Sequence, residues 1–560
     1  MMYPFLTDCA QNYLHYLIAF DKGYEIIKIR SIARDIFGLI LQLESKLKSL
    51  ESLLLRTSLG EYLLNNTESE INISAYDERN KILYLNVESN LCETLFLKKD
   101  SIVLISDLRF LVQNVIDFYS QELPLSLPIN APNLTPNIES LKDLEAPPHA
   151  EQLNALHGIF SSPFCYIWGP AGSGKTKVVL LHALSFYLKA GLKVAILAPT
   201  NNALEQCLKT LLINLESIGL STNGILRLGA PTQSFKESFS QNCEHIIQEQ
   251  NIPSNFHKKS LSKAQILAMT LDTFLHRSDL QALDFKHFFV DEAAFTPLIK
   301  ILPLCAFNKP ITLLGDHKQL QPINALSSKD SKEQQWNLSK FWSFSALFLE
   351  SFFKTQEAFN TKDPKQIPQI THFFTLSQTY RYGDNLAKLL DSYIYQNNLQ
   401  GRGTHTRLYC LDIVEFAGLK KLESKMERTN PLEASLCCKL AESFIDKTLD
   451  FAILTPFVNQ RQLILKTMPS LYHKECVLTI HSAQGQEFDY VIFSPVMLHY
   501  HLNDSTNQSA LFALNVALSR AKKGIIIICD KRYWSSLKGQ FLSDLIALCE
   551  PYDLSKDYEF

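Results

Sequence analysis

No apolar run in the 560-residue sequence approaches the roughly 20 residues that a membrane-spanning helix needs. The N-terminus lacks the basic start and long apolar stretch of a secretory leader, and carries Asp8 instead. Zinc-ligand spacing is missing as well. The 12 cysteines are scattered, Cys437 and Cys438 are the one adjacent pair, and there is no CxxC pair or Cys/His cluster. These absences exclude a legible zinc domain and a disulfide framework. They suit a reducing compartment, where thiols such as Cys165 and Cys529 pack as small hydrophobes, so a cytoplasmic location is expected. Tandem repeats and low-complexity tracts are also lacking, which excludes a repeat architecture. Finally, there is no excess of basic charge: the formal net charge is −3. That rules out a broadly basic surface, but not a grip on phosphates through backbone amides, helix N-termini and a local groove.

What the chain does have is length and apolar content. At 46% hydrophobic and 20% charged it supports several globular domains rather than a disordered coil, and three domains are expected. From Ile29 to Leu54 the residues Ile29, Ala33, Ile36, Ile40, Leu43, Leu47, Leu50 and Leu54 step by alternating fours and threes, which predicts one long helix. Such a helix either packs on its own domain or protrudes as a stalk. Alternating segments at Ile71 to Tyr76 and Lys81 to Val87 predict strands joined through Asp77 to Asn80, followed by a strand from Ser101 to Ile105 and a helix starting near Asp107. The proline- and asparagine-rich stretch from Leu123 to Pro148 reads as a linker.

Beyond it, short apolar runs recur between helical patterns at Phe164 to Trp168, Val194 to Ala198, His287 to Val290 and Ile311 to Leu314. A second set lies at His372 to Leu376, Phe451 to Leu454, Tyr490 to Phe493 and Ile525 to Cys529. Buried parallel strands separated by helices have this pattern, so two α/β lobes are predicted. The expected domains are residues 1–140, an N-terminal helical and small β module with its linker, then 141–330 and 331–560, one lobe each.

The chemistry begins at Gly169-Pro170-Ala171-Gly172-Ser173-Gly174-Lys175-Thr176, which matches GxxxxGK[ST] between a strand and a helix. The glycines let backbone N–H groups curl around phosphate oxygens, Lys175 reaches the β- and γ-phosphates of ATP, and Thr176 ligates Mg²⁺. Hydrolysis also needs a metal-holding carboxylate and an activated water. Asp291 and Glu292 end an apolar strand and so lie at the carboxyl edge of a parallel sheet, where ligands bind. Asp291 is assigned to the metal and Glu292 to general-base duty.

One strand later comes Gly315-Asp316-His317-Lys318-Gln319-Leu320-Gln321-Pro322. Together with Asp291-Glu292-Ala293-Ala294 it resembles the superfamily 1 helicases, in particular the 5′-to-3′ branch that includes the RNA-surveillance (up-frameshift) helicase. The likeness continues through Ala198-Pro199-Thr200-Asn201-Asn202-Ala203, Gln378-Thr379-Tyr380-Arg381, and Leu454-Thr455-Pro456-Phe457 with Gln460. It runs on through His481-Ser482-Ala483-Gln484-Gly485-Gln486-Glu487-Phe488-Asp489 and Asn515-Val516-Ala517-Leu518-Ser519-Arg520-Ala521-Lys522, and so spans roughly residues 145 to 535.

The resemblance implies two RecA-like lobes, with ATP and Mg²⁺ as cofactors and a single strand of DNA or RNA as partner. By the same resemblance Gln152 selects adenine and Tyr380 packs against the base, while Gly485 and Glu487 lie near the nucleotide, Glu487 at the ribose. Gln319 senses the γ-phosphate, and Arg381 and Arg520 act as arginine fingers. Pro199, Thr200, Asn201, Thr455, Pro456, His481 and Ser482 hold the nucleic-acid strand. A monomer is expected, without zinc.

The sequence also departs from the pattern. Phe295 and Thr379 stand where relatives commonly carry glutamine, and about forty residues follow Arg520, too few for a further domain of typical size. The polar segment from Arg227 to Lys263, with His257-Lys258-Lys259, is either an insertion that touches the strand or a solvated loop. Three other readings share the phosphate loop: a translocase or remodeller that does not unwind, an ATP-clamped binding module, and a nucleotide switch acting on proteins.

Overall fold

A computed structural model describes residues 2–47, 49–64, 70–244, 261–327, 330, 333–355, 370–416, 426–471, 476–483, 485–556 and 558. The chain divides into two compact units. One comprises Met1–Trp168, Lys175–Gly315 and Gln321–Thr375; the other comprises Gly169–Gly174, Asp316–Leu320 and Leu376–Phe560.

The N-terminal part of the first unit differs from the expected long helix. Residues 29–54 form the strands Ile29–Arg34 and Gly38–Leu43 and the start of Leu53–Thr57. Along Gly38–Leu43 the side chains of Leu39, Leu41 and Leu43 are buried at a period of two. Asp35 closes the hairpin by accepting hydrogen bonds from the N–H groups of Phe37 and Gly38 at 2.8 and 2.9 Å. The apolar residues satisfy both periods, and the strand pairing of Gly38–Leu43 with Ile29–Arg34 and Ile82–Val87 decides between them. The predicted strands at Ile71–Asp77, Ile82–Val87 and Val103–Asp107 are present, as is the helix Leu108–Tyr119 capped by Asp107. Two four-stranded antiparallel sheets share a core that includes Leu41, Leu55, Ile73, Leu85 and Leu104. The helical component comes from Met2–Ala19, Ser89–Leu97 and Leu108–Tyr119.

The rest of the first unit is built on a seven-stranded sheet. Its order is Ile225–Arg227, Ile266–Thr270, Val194–Ala198, Phe288–Val290, Ile311–Gly315, Phe164–Trp168 and Phe373–Thr375, with every neighbour parallel. The four predicted strands take its centre and are buried along their whole length, as helix-covered parallel strands must be. Phe373–Thr375 was expected to open the second lobe but pairs here instead, with Phe373 stacked on Trp168 at 5.8 Å. Sequence order cannot tell which sheet edge an apolar strand will join, and this aromatic contact decides it. The loops that follow Val194–Ala198, Phe288–Val290 and Phe164–Trp168 leave from the carboxyl edge of this sheet and carry Thr200, Asp291 and the phosphate loop.

The second unit contains a six-stranded parallel sheet, ordered Val477–Thr479, Phe451–Thr455, Phe488–Phe493, Ala521–Cys529, Arg407–Asp412 and Glu550–Pro551. Ile453, Ile492, Ile526, Ile528 and Phe444 fill its core. The fold is thus mixed α/β, and its two large sheets are parallel. Among the described residues no helix is long and apolar enough to cross a membrane. The segment with His257, Lys258 and Lys259 lies outside the described residues.

Candidate functional site

The strand Phe164–Trp168 delivers the chain to Gly169, and the following loop takes a shape that only glycine permits. Gly172 and Gly174 have φ of +79° and +87°. A Cβ at Gly169 would lie 2.4 Å from the Ser173 hydroxyl, and one at Gly172 would lie 2.5 Å from Cβ of Arg381. The helix that leaves the loop begins with a wide π-type stretch, Lys175–Leu180, and continues as Leu181–Lys189. Its first N–H groups have no carbonyl to bind within the helix, which is the usual basis for anion binding at a helix N-terminus.

Thr176 and Asp291 meet in the first unit, with the threonine hydroxyl donating to Asp291 Oδ2 at 3.4 Å. Asp291 is fixed by its own N–H on Leu197 O at 2.9 Å, and its Oδ1 accepts from the N–H of Glu292 at 3.0 Å. Burial pushes its carboxyl above the usual range, while Lys175, the Glu292 N–H, the Cys207 thiol and Thr176 pull the other way. A buried carboxylate beside a hydroxyl is a hard-oxygen pair that a divalent cation would stabilise, and these residues fit Mg²⁺. Glu292 is half-buried with φ of +53°. This left-handed backbone costs a non-glycine residue about 1–2 kcal/mol. The turn is held by Ala293 N–H on Leu314 O at 2.9 Å and Phe295 N–H on Glu292 O at 3.0 Å. Gln152 is buried in the first turn of the helix Ala150–Ser161, where its Oε1 accepts from the N–H of His149 at 3.1 Å.

In the second unit the tyrosine–arginine segment lies against the phosphate loop. The hydroxyl of Thr379 donates to Ala171 O at 2.7 Å, and the N–H of Tyr380 donates to Gly172 O at 2.9 Å. Threonine in place of glutamine therefore has a defined partner. Tyr380 is 52% exposed. Arg381 donates to Ser519 O at 3.0 Å and pairs with the Glu487 carboxylate. Arg520, 3% exposed, donates to Val516 O at 3.0 Å, Gln486 O at 3.3 Å and Gln319 Oε1 at 3.3 Å. Gln319 is itself buried, and Gly485 turns the chain with φ of +80° just ahead of Glu487.

The residues expected to hold a strand are placed less uniformly. Pro199 is half-buried, and Thr200 is exposed and caps the helix Asn201–Ser217 by accepting from the Ala203 N–H at 3.2 Å. Asn201 Oδ1 accepts from Arg227 at 2.7 Å, and the buried Arg227 also pairs with Glu205 at 3.2 Å. In the second unit His481 and Ser482 are exposed, whereas Thr455 and Pro456 are buried. Gln460 is buried too, bonded to Asn430 and Ser494.

Sequence reasoning passed over three residues in this region. The Cys207 thiol bonds Asp291, and its seven-residue spacing from Thr200 on one helix was a legible signal. Tyr395 and the first residue of the last motif, Asn515, both join the Asp316–Gln319 loop. Only the fold brings these two together, and no local pattern announces it.

AAA-domain family models match residues 148–330 and 357–532. A DNA replication ATP-dependent helicase/nuclease of Arabidopsis thaliana is 25% identical, covering 68% of this chain and 28% of its own. Regulator of nonsense transcripts 1 of Dictyostelium discoideum is 24% identical, covering 70% and 32%. The chain thus spans about a third of the length of these curated relatives. An arterivirus helicase solved with DNA aligns over 69% of the chain at 15% identity with a TM-score of 0.35, a likeness too low to argue from. The matched domains, the named relatives and the ordered motifs support a superfamily 1 helicase that resembles the up-frameshift branch.

Proposed function

We propose that the chain is an ATP-driven helicase that moves 5′ to 3′ along single-stranded nucleic acid. The observation that carries the ATP chemistry is the packing of Arg381 on Gly172, tight enough that even a methyl group would not fit. That contact is made by the Cβ and backbone N of Arg381, while its guanidinium is held by Ser519 O and Glu487; a cation carried on a segment packed against a phosphate loop can be turned toward a phosphate. Lys175 neutralises the β- and γ-phosphates, and Glu292 takes the proton of the attacking water. Arg381 and Arg520 stabilise charge developing on the transferred phosphoryl group. Thr176 and Asp291 would hold Mg²⁺, which would supply charge neutralisation for the phosphates. Glu487, which pairs with Arg381, keeps that arginine oriented until a nucleotide arrives, and Gln152 with Tyr380 receives the base. Thr200, His481 and Ser482, all exposed, contact the strand backbone.

The two relatives described above are named for DNA replication and for nonsense transcripts, and phosphate-gripping motors read little base identity. The test is ATP turnover with single-stranded DNA and with single-stranded RNA at several salt concentrations. Stimulation by at least one, falling steeply with salt, is expected from phosphate contacts. Turnover indifferent to both would refute the strand-driven reading and favour a switch that acts on proteins.

A further inference from the structure

We propose that Tyr395 is a positioning residue for ATP turnover: with Asn515 it clamps Asp316, which fixes the Gln319 carboxamide so that its oxygen faces Arg520. This rests on the reading of Gln319 as γ-phosphate sensor and Arg520 as arginine finger.

The geometry is a closed chain of hydrogen bonds inside the second unit. The phenol of Tyr395 donates to Asp316 Oδ2 at 2.7 Å, and Gln319 Nε2 donates to the same oxygen at 3.0 Å. Asp316 Oδ1 accepts from the N–H of Lys318 at 3.0 Å. Asn515 Nδ2 donates to the Tyr395 oxygen at 2.8 Å and to Lys318 O at 2.9 Å. Arg520 then donates to Gln319 Oε1 at 3.3 Å. Asp316, Gln319, Tyr395, Asn515 and Arg520 are all at most 5% exposed, so water cannot substitute for a missing partner.

One orientation of the Gln319 amide satisfies this set. Turned over, its oxygen would face the Asp316 carboxylate and its NH₂ would face the Arg520 guanidinium, two repulsive contacts in a dry site. Tyr395 is fixed in turn by the end of its own helix. Gln396, at φ of +50°, donates its N–H to Asp391 O at 2.8 Å, and the Asp391 carboxylate accepts from Asn397 and Leu399 N–H at 2.9 and 3.1 Å. Burial and the neighbouring Asp316 push the phenol's pKa up, so it keeps the proton that it donates. Without that donor, Asp316 Oδ2 loses its 2.7 Å anchor, and the Gln319 amide that bonds the same oxygen is held less firmly.

The test is a double-mutant cycle on the full chain with Tyr395→Phe, Gln319→Ala and both together, reading kcat, KM for ATP and thermal midpoint. Tyr395→Phe should lower kcat about tenfold, with KM within about twofold and only a small loss of midpoint, and should add little further loss on the Gln319→Ala background. Asn515→Ala should reproduce the effect if the clamp is real. An unchanged kcat in Tyr395→Phe overturns the proposal. So does an equal loss from Tyr395→Phe with and without Gln319, which would show that the tyrosine acts elsewhere. Full kcat in Gln319→Ala would instead refute the sensor assignment on which the proposal stands.

Discussion

The hydroxyl of Thr176 lies 3.4 Å from Oδ2 of Asp291, both within the first unit. This pair is where a divalent ion would sit, flanked by Lys175 and Glu292. Lys175→Ala should therefore abolish turnover, whereas Glu292→Gln should bind ATP and stall before hydrolysis. Single-turnover assays with labelled ATP check both. Multiple turnovers by Glu292→Gln would remove that residue as general base.

Arg520 is the better buried of the two proposed arginine fingers, and its guanidinium is already held by Val516, Gln486 and Gln319. A finger of this kind is worth a factor of roughly 10³ or more in kcat. Arg520→Ala should lose about that much with nucleotide affinity little changed, as read by steady-state kinetics beside equilibrium binding of a fluorescent ATP analogue. Near-normal kcat would exclude Arg520 from the chemistry.

Two glycines with the same backbone twist should respond differently to a methyl group. At Gly172 a Cβ meets Arg381 at 2.5 Å and the Thr379 hydroxyl at 2.9 Å, whereas at Gly219 it meets nothing within 4 Å. Gly172→Ala should weaken nucleotide binding at least about tenfold by forcing the loop open, and Gly219→Ala should cost only the strain of about 1–2 kcal/mol. Urea unfolding and nucleotide titration of both variants separate the two effects. Equal behaviour would contradict the close packing at Gly172.

Stability should carry a pH signature from Glu433. Burial pushes its carboxyl up to about 8, against donors from Ser494, Val496 and Asn430. The folded chain thus keeps a proton that the unfolded chain releases above about 4.5, the ordinary glutamate value. Its contribution is complete below that pH and is lost, at up to about 1.4 kcal/mol per pH unit, as pH rises through 8. Glu433→Gln should flatten this slope in thermal midpoints measured between pH 5 and 8, and an unchanged slope would show that another group is responsible.

The candidate nucleotide site could be proposed from the sequence because its chemistry is local. A phosphate loop, an Asp-Glu pair after an apolar strand and the Gly-Asp-His-Lys-Gln run each need their residues at fixed spacing. Central strands such as Val194–Ala198 were legible for a related reason, since a strand covered on both faces must be apolar throughout. The hairpin at Ile29–Leu43 was not, because isoleucine- and leucine-rich segments fit periods of two and of three to four equally well until a partner strand chooses. Phe373–Thr375 and Tyr395 illustrate the remaining gap. A strand's sheet and a tyrosine's carboxylate 79 residues away are settled by tertiary packing alone.

The central claim is motion along one strand in one direction, powered by ATP. The most direct measurement is strand displacement on duplexes that differ only in carrying a 5′ or a 3′ single-stranded overhang, with ATP and Mg²⁺ present. Unwinding of the 5′-overhang substrate, abolished by Lys175→Ala, is the predicted result. Unwinding that requires a 3′ overhang would contradict the assigned direction, and no displacement of either substrate despite strand-stimulated turnover would contradict unwinding itself.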